Sequence, residues 1–539
     1  MKLKNIFSAV AAAAMLTACV GDLNTIPLNE TDVTSETAYG ADEAGYVQGL
    51  TKIYFQLVSN NTQDLQVADG GASEFIRAFW STQEVTADAA KCAWGDAWVN
   101  DLNNNTWKGD VLNDAVYAVY VRTLQGITYV NEYLRQTSDA NLDLRGCSAD
   151  VKAKVQEYRA EARFLRAFFY WAAMDTFGQV PFSTEHTQFG GGYNPPQAPA
   201  AEIFDFIVSE LKDLASDGSA MPAAQSNYPR ADKGSVLGLL ARVYLNAEVY
   251  TGTAMWAEAK ATCEKIYSLG YALAPTHAEL FRGDNGENPD AKKEMLFAAS
   301  YNAEHTQSYG GTTYLTLSTL SGDDGAVNII GINGGWAGNR VPDHYVQTYF
   351  APTAADFATG DYTIADKRAY FYIKGRSQSM QDNLNTFLNG WSCIKFNNVP
   401  HDKEAVDYAA TAATKNFSDI DWPLIRLGEI HLIYAEACMH AGGDASAQVA
   451  ALAERAGVAA PKTIDADFLM AERARELMWE AHRRTDLIRY GKWISGYNWT
   501  YKGGNFGGQD LPEHFNVFPV PSTELATNLD LDQNPGYAR

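Results

Sequence analysis

Basic residues are scarce in this 539-residue sequence. It has 42 lysines and arginines against 65 aspartates and glutamates, which gives a formal net charge of −23 at pH 7. Proteins that bind nucleic acids gain much of their affinity from basic patches, so this balance argues against a nucleic-acid partner and against an anionic polymer as ligand. Acidity by itself names no partner, because it also favours general solubility.

Cysteine is scarce as well. The sequence has six cysteines, of which Cys19 belongs to the N-terminal segment, and it contains no Cys-x-x-Cys pair. The remaining number is odd and the spacings are wide, so neither a zinc site nor a dense disulfide framework is supported. We expect buried free thiols at Cys92, Cys147, Cys263, Cys393 and Cys438.

The common catalytic motifs are absent from the sequence. It contains no HExxH, GxSxG, P-loop or GxGxxG. The sequence does not exclude a glycosidase pair of carboxylates, because the distance between two carboxylates is a property of the fold. No local pattern points to a particular pair. The nearest metal-like string, Asp530, Asp532 and Asn534, has Pro535 where an EF-hand loop needs glycine. We therefore predict no catalytic residues and no cofactor, and the sequence does not support a structural calcium ion.

The first residues have the pattern of a lipoprotein signal. Two lysines precede a short alanine-rich apolar run, and residues 16–19 read Leu-Thr-Ala-Cys, which matches a lipobox. The run is shorter than the roughly 20 residues that a membrane-spanning helix needs. We predict a signal peptide at 1–18, lipidation of Cys19 and a polar tether at 19–37, so that lipid anchors the chain to a membrane. Plain secretion with an incidental cysteine is the alternative.

Long amphipathic helices are predicted around a different middle region. The clearest begins at Val151, has apolar residues at alternating steps of four and three, and is stopped by Gly178 and Pro181. Repeated helix pairs of this length look like tetratricopeptide-type hairpins, although no 34-residue consensus is legible. Further helices are predicted at Ala38–Val58, Asp114–Arg135, Ala201–Ala215, Asp232–Glu248 and Met255–Leu269.

The region from Leu273 to about Asp419 lacks the helical pattern. Turn pairs such as Asn333-Gly334 and short β-branched or aromatic runs such as Thr312–Leu317 indicate long loops with small strands. Loops on a rigid scaffold are where binding residues concentrate. We therefore expect this region to contribute to a ligand site.

Tryptophan is concentrated in one polar segment. Four of the 12 tryptophans fall between residues 80 and 107, among acids, amides and glycine. The part that begins at Ala93, AWGDAWVNDLNNNTW, is too polar and too broken for a core helix. Aromatic rings that stack on sugar faces, with polar side chains that bond the hydroxyls, are typical of glycan recognition. The alternative for each ring is that it attaches a long loop to the body. The candidate contacts are Arg77, Trp80, Trp94, Asp96, Trp98, Asn100 and Asn103.

A second candidate half of the site lies in the glycine-rich segment 331–340. This segment reads GINGGWAGNR and leaves Trp336 little side-chain cover. Together with Tyr301 and Tyr309, Trp336 could complete a sugar-stacking surface. A tryptophan packed under the loop is the alternative interpretation.

Several segments resemble the SusD/RagB family of Bacteroidetes surface lipoproteins. They read EARFLRAFFYWAAMDTFGQVPF from Glu161, DWPLIRLGEIHLIYAEA from Asp421 and ERARELMWEAHRRTDLIRYG from Glu472, and the chain ends in FPVPSTEL followed by NPGY. Pro423 is expected in the first turn of a helix. The sequence departs from the family pattern at Ala481, where the family has glycine, and in a reduced basic segment before Arg-Ala-Gly.

The resemblance implies a mainly α fold. Tetratricopeptide-like hairpins would form a scaffold from residues 38–272 and 420–539, and a loop-rich insertion at 273–419 would carry ligand-binding residues within one domain, 38–539. The signature charges are expected to serve this scaffold, and Glu480 could form helical ion pairs with nearby arginines. The charges assigned to the scaffold are Glu161, Arg163, Arg166, Arg426, Glu429, Glu472, Glu476 and Arg483.

The resemblance also implies a function. Family members capture glycans at the outer-membrane surface without catalysis, with an aromatic arc drawn partly from the N-terminal region, and deliver them to a SusC-like TonB-dependent transporter. The family also has a peptide-capturing branch, which is the first alternative. A surface glycoside hydrolase is the second.

Overall fold

A computed structural model describes residues 35–60, 65, 67, 69–188, 194–381 and 383–539. The predicted signal peptide, Cys19 and most of the predicted tether lie outside the described residues. Within the described ranges, none of the helices has the length and apolar character needed to cross a membrane.

The fold is mainly α, as predicted, and the helices predicted from periodicity are present within a few residues of their expected ends. The α-helices are α1 Ser35–Tyr39, α2 Glu43–Val58, α3 Phe75–Trp80, α4 Ala97–Asn104, α5 Asp114–Gln136, α6 Asp139–Leu144, α7 Ala149–Phe177, α8 Ala200–Leu214, α9 Lys233–Leu245, α10 Ala247–Thr251, α11 Trp256–Tyr267, α12 Pro289–Glu294, α13 Gly311–Leu317, α14 Val327–Ile330, α15 Asp343–Tyr349, α16 Ala405–Ala412, α17 Leu427–Ala441, α18 Ser446–Ala456, α19 Ala466–Glu476, α20 Arg483–Arg489 and α21 Ser522–Thr527.

The strands are short and pair two by two. Pairing is antiparallel in β1 with β5, β2 with β3, β4 with β10, β6 with β7 and β8 with β9. The strands are β1 Lys91–Cys92, β2 Val180–Pro181, β3 Gln197–Ala198, β4 Met295–Ala299, β5 Asn339–Arg340, β6 Ala354–Asp356, β7 Asp361–Thr363, β8 Phe371–Tyr372, β9 Ser392–Cys393 and β10 Trp422–Arg426.

The long helices pack on one another in succession. Helix α7 begins where the Ser148 side chain accepts from the Val151 N–H, and it ends at Gly178, whose φ is +73°. It packs between α5 and α8; α8 then contacts α9, α9 contacts α11, and α11 contacts α17. The N-terminal and C-terminal helices therefore form one continuous scaffold.

Strands β4 and β10 lie near the two ends of the loop-rich middle region, and their pairing brings these ends together. It also corrects the expectation for Pro423, which lies in β10 opposite Ala298, and the helix begins only at Leu427. The predicted strand at Thr312–Leu317 is wrong too, because these residues form helix α13 and all of them are buried.

The signature charges form buried ion pairs between distant segments, as predicted for a scaffold. Arg426 contacts Glu476 at 2.7 Å and Glu480 at 2.6 Å, and Arg483 contacts Asp88 at 2.7 Å. Glu480 does not pair along a helix, because the chain leaves helical geometry between α19 and α20. The expected free thiols are confirmed at the five cysteines of the described region, all buried.

Candidate functional site

The two predicted halves of the site meet at the pairing of β1 with β5. The Ala93 N–H donates to the Gly338 carbonyl at 2.8 Å, directly after the strand register ends. Trp94 therefore lies against Gly338, where a Cβ atom would be only 2.5 Å from the indole nitrogen. Gly338 also has a φ of +113°, which favours glycine. Trp336 is two residues away along the same segment.

Trp94 is half-buried and supported from below by Arg77. The guanidinium carbon lies 5.3 Å from the Trp94 ring centroid and 4.3 Å from that of Tyr314, which is a cation–π geometry. Arg77 also pairs with Asp69 at 2.7 Å. The sequence suggested that Arg77 binds ligand hydroxyls. Because Arg77 is only 1% exposed, it supports the Trp94 ring instead.

Three rings from the loop-rich region form an aromatic cluster, defined as Tyr309, Trp336 and Phe417. The Tyr309 centroid lies 6.0 Å from Trp336 and 5.0 Å from Phe417. Tyr309 is 51% exposed, and the other two rings are half-buried. Phe417 was not predicted, although its isolation in the polar stretch TKNFSD resembles the polar setting that drew attention to Trp94.

The aromatic cluster and Trp94 belong to one region of the surface. Gly71 is the contact point, because a Cβ atom there would lie 2.5 Å both from Arg77 Nη1 and from the Tyr309 carbonyl oxygen. The backbone that carries Tyr309 thus runs beside the arginine under Trp94. Segments from two distant parts of the chain therefore bring Trp94 and the aromatic cluster into one neighbourhood.

Polar groups border Trp94. Asp96 is exposed and Asn100 is half-buried. Asn385 donates to the Ala93 carbonyl at 3.2 Å and to Asn100 Oδ1 at 3.4 Å, so it connects this border to the loop-rich region. Asn385 was missed, since one asparagine among many carries no local signal. Carboxylate and amide groups can accept from and donate to hydroxyls.

Trp80 and Trp98 are buried rather than available to a ligand. Trp80 is 0% exposed and its Nε1–H donates to the Trp479 carbonyl at 3.2 Å. Trp98 is 7% exposed and packs in the main hydrophobic core. The expectation that these two rings stack on sugar is wrong, because core packing covers their faces.

Asn103 and Tyr301 are also inside the protein. Asn103 is 0% exposed and brackets Cys92, accepting from its N–H at 2.9 Å and donating to its carbonyl at 2.7 Å. Tyr301 is 3% exposed and donates its hydroxyl proton to Glu74. Both residues support the loops around the site instead of contacting ligand.

Glu74 lies directly beneath the loop that carries Tyr309. Its carboxyl accepts from the Tyr301 hydroxyl and from the Ser308 hydroxyl, and a Cβ atom on Gly310 would overlap it. Burial raises the pKa of Glu74 well above 4.5, although Tyr301 and two nearby arginines oppose the shift. A buried carboxyl therefore holds the Tyr309 loop in place.

Replacing Glu74 by glutamine should change stability little, whereas alanine should lower the free energy of unfolding by about 2–4 kcal/mol, because it leaves a cavity and two unpaired hydroxyls.

The stability contributed by Glu74 should also depend on pH. A group whose pKa is higher in the folded than in the unfolded state stabilises the fold below its unfolded pKa and loses that contribution as pH rises. Wild type should therefore lose stability relative to Glu74→Gln as pH rises above about 4.5. Urea unfolding at pH 5 and pH 8 measures both effects; equal losses for glutamine and alanine would contradict the assignment.

One group in the described residues could bring three potential metal ligands together. Asp284, His401 and Asp402 each offer an atom within 4.8 Å of the others. His401 is 2.5 Å from Asp284, Asp402 is 3.2 Å from Lys403, and the group is largely exposed. These pairs account for its charges, and we assign no metal to it.

Family models match an N-terminal and a C-terminal part of the chain. A model described as the SusD family matches residues 270–537, and one described as starch-binding associating with outer membrane matches residues 56–245. The chain is 30% identical to the starch-binding protein SusD of Bacteroides thetaiotaomicron over 99% of each chain. It is 26% identical to the SusD-like protein P2 of Formosa agariphila, over 88% of this chain and 93% of the relative.

Solved structures share the fold. A SusD superfamily protein from Parabacteroides distasonis superposes with a TM-score of 0.69 at 21% identity, over 94% of this chain and all of that one. A surface glycan-binding protein A from Bacteroides thetaiotaomicron, solved in complex with laminarihexaose, superposes with a TM-score of 0.66 at 17% identity, over 91% of this chain and 99% of that one.

Proposed function

The chain belongs to the SusD family, and from this premise we propose that it is a non-catalytic glycan-binding protein whose ligand is an α-glucan of the starch class. The observation that supports the proposal is that the segments carrying Trp94 and the aromatic cluster approach each other at Gly71 and Gly338. The ligand class is supported by the 30% identity, over nearly the full chain, to a protein named for starch binding.

The chemistry of this surface fits a neutral polysaccharide. Sugar rings have apolar faces that stack on aromatic side chains, and hydroxyls that need donors and acceptors at the rim. Arg77 is already stacked on Trp94 and paired with Asp69, so it does not favour an anionic ligand. Asp96 and Asn100 supply rim groups of the kind that bond hydroxyls.

The cellular setting is part of the same proposal. Lipidation at Cys19 would hold the protein at the outer-membrane surface, and a SusC-like TonB-dependent transporter would receive the captured oligosaccharide. The lipobox supports the anchor, and the description of the matching N-terminal family model supports the outer membrane. The transporter partner rests on the family resemblance.

Affinity electrophoresis tests the ligand class. The protein from residue 20 onward, without its lipid, would run through native gels containing starch, fructan, mannan, xylan, pectin or laminarin. We expect retardation in the starch gel, and incubation with the same polymers should release no reducing ends. Mobility equal to that in a polymer-free gel for all of them would contradict the proposal and favour the peptide-binding alternative.

A further inference from the structure

A cavity of about 450 Å³ lies between the start of α15 and the segment 498–507. This volume is within the range of about 300–1,000 Å³ that is typical of small-molecule sites. Gln378 and Ser379 form another wall, and Phe506, which is 37% exposed, borders the opening. The cavity lies outside the surface formed by Trp94 and the aromatic cluster.

Polar groups and aromatic rings line this cavity, and Asp343 is the one carboxylate among the lining residues. Trp499 is 1% exposed, and its indole Nε1–H has no hydrogen-bond partner among the described residues. His344 Nε2 lies 3.3 Å from the Tyr497 hydroxyl, which donates its own proton to Asp88 at 2.7 Å.

Charge in the cavity favours an uncharged ligand. No lysine or arginine is among the lining residues. The carboxylate of Asp343 is already engaged, since Trp391 Nε1–H and Gln378 Nε2–H each donate to it at 2.9 Å. The lining residues therefore provide no ammonium or guanidinium group, and the Lys502 ammonium, which lies over the Trp499 ring, already donates to the Tyr497 carbonyl at 2.8 Å. A polyhydroxylated neutral ligand fits the available donors and acceptors.

The described residues of the loop 377–390 lie between this cavity and the candidate site and are held by hydrogen bonds. Buried Arg340 donates to the carbonyls of Leu384 at 2.6 Å and Thr386 at 2.8 Å. At its base, the Gly390 N–H donates to the Ser377 carbonyl at 2.7 Å. One part of the loop carries Asn385 to the border of Trp94, and another part lines the cavity. The two sites therefore share this loop.

We infer that this cavity is a second carbohydrate subsite, which binds a sugar unit of the same glycan chain that the aromatic surface binds. The inference rests on the proposed function. Simultaneous occupation of two subsites makes the second contact intramolecular, which raises affinity for long chains over short ones. Phe506 supplies the ring that a sugar can stack on, and Asn498 supplies an exposed amide.

Isothermal titration with maltotriose and maltoheptaose tests this subsite in the double variant Asn498→Ala/Phe506→Ala. The Kd for maltoheptaose should rise about tenfold, and the preference for maltoheptaose over maltotriose should shrink. Phe55→Ala is the matched control, because Phe55 is 41% exposed and distant in sequence from the cavity. Its Kd should equal that of wild type.

The outcomes separate the two proposals. A Kd for maltoheptaose within twofold of wild type in the double variant would overturn the subsite while leaving the proposed function standing. If wild type bound neither oligosaccharide, both proposals would fall. Should the double variant unfold at a lower temperature than wild type, Gln378→Ala, an exposed change on the opposite wall, provides the same comparison and should also raise the Kd.

Discussion

Replacing Tyr309 and Trp336 together by alanine is expected to weaken binding of maltoheptaose by about 30-fold or more. Their centroids are 6.0 Å apart in the aromatic cluster, where both can contact the same sugar chain. Truncating aromatic residues at the centre of a binding site typically costs about 2 kcal/mol or more, which corresponds to about 30-fold in Kd. Isothermal titration with the purified variant measures the loss.

Trp336 is half-buried, so stability must be measured beside affinity. Tyr309→Ala removes a side chain that is 51% exposed and should weaken binding without moving the unfolding midpoint. Phe55→Ala removes a ring of comparable exposure elsewhere and should change neither quantity. An unchanged Kd in both Tyr309→Ala and the double variant would remove the aromatic cluster from the binding site.

Replacing Arg426 by methionine is expected to lower the free energy of unfolding by about 3–5 kcal/mol. Arg426 is 1% exposed and pairs with Glu476, Glu480 and Glu294, the last at 3.0 Å. Methionine fills similar volume but leaves these buried carboxylates with fewer cations. Urea unfolding at pH 7 measures the difference.

The size of this effect should depend on pH. Burial alone would raise the pKa of Glu476, but the charges of Arg455, Arg426 and Arg368 outweigh burial and hold the pKa well below 4.5. Such a carboxylate stabilises the fold above its unfolded pKa and loses that contribution as pH falls. The gap between wild type and Arg426→Met should therefore narrow below about pH 4.

Arg135→Met is the matched control for the buried cluster. Arg135 pairs with Glu132 at 3.0 Å, and both side chains are substantially exposed. Exposed pairs contribute at most about 1 kcal/mol, so this variant should unfold close to wild type. Equal losses for the two arginine variants would contradict the role assigned to the buried cluster.

The sequence was sufficient to predict the long helices. Helix α5 was expected at Asp114–Arg135 and lies at Asp114–Gln136, and α7 ends at Gly178 as its stop signal indicated. These helices have long apolar stripes, so periodicity outweighs local ambiguity. The free buried cysteines were also predictable, because their spacing left no other role.

Short elements were not predictable, since their neighbours decide them. Thr312–Leu317 is rich in β-branched and aromatic residues, yet it forms a helix because it is buried on all sides and Tyr314 packs on Trp80, Trp94 and Arg77. Tertiary contacts of this kind override local propensity. Pro423 likewise lies in a strand because β4 is available to pair with it.

The candidate site was predictable only in part. Trp94 was identified by its polar setting and Trp336 by its glycine-rich one, and the structure brings their segments together. Trp80 looked equivalent to Trp94 in sequence, but its indole N–H bonds to Trp479, which is 399 residues away. The Asn103 side chain is hydrogen-bonded to the backbone of Cys92 and is not available to a ligand. No local pattern separates a ring on the surface from one covered by a distant segment.

A crystal structure of the protein with maltoheptaose tests the central claim most directly. We predict density for glucose units stacked on Trp94, Tyr309 and Trp336, with hydroxyls bonded at the rim beside Asn100. Density for the oligosaccharide elsewhere on the protein, with these three rings facing solvent, would contradict the account.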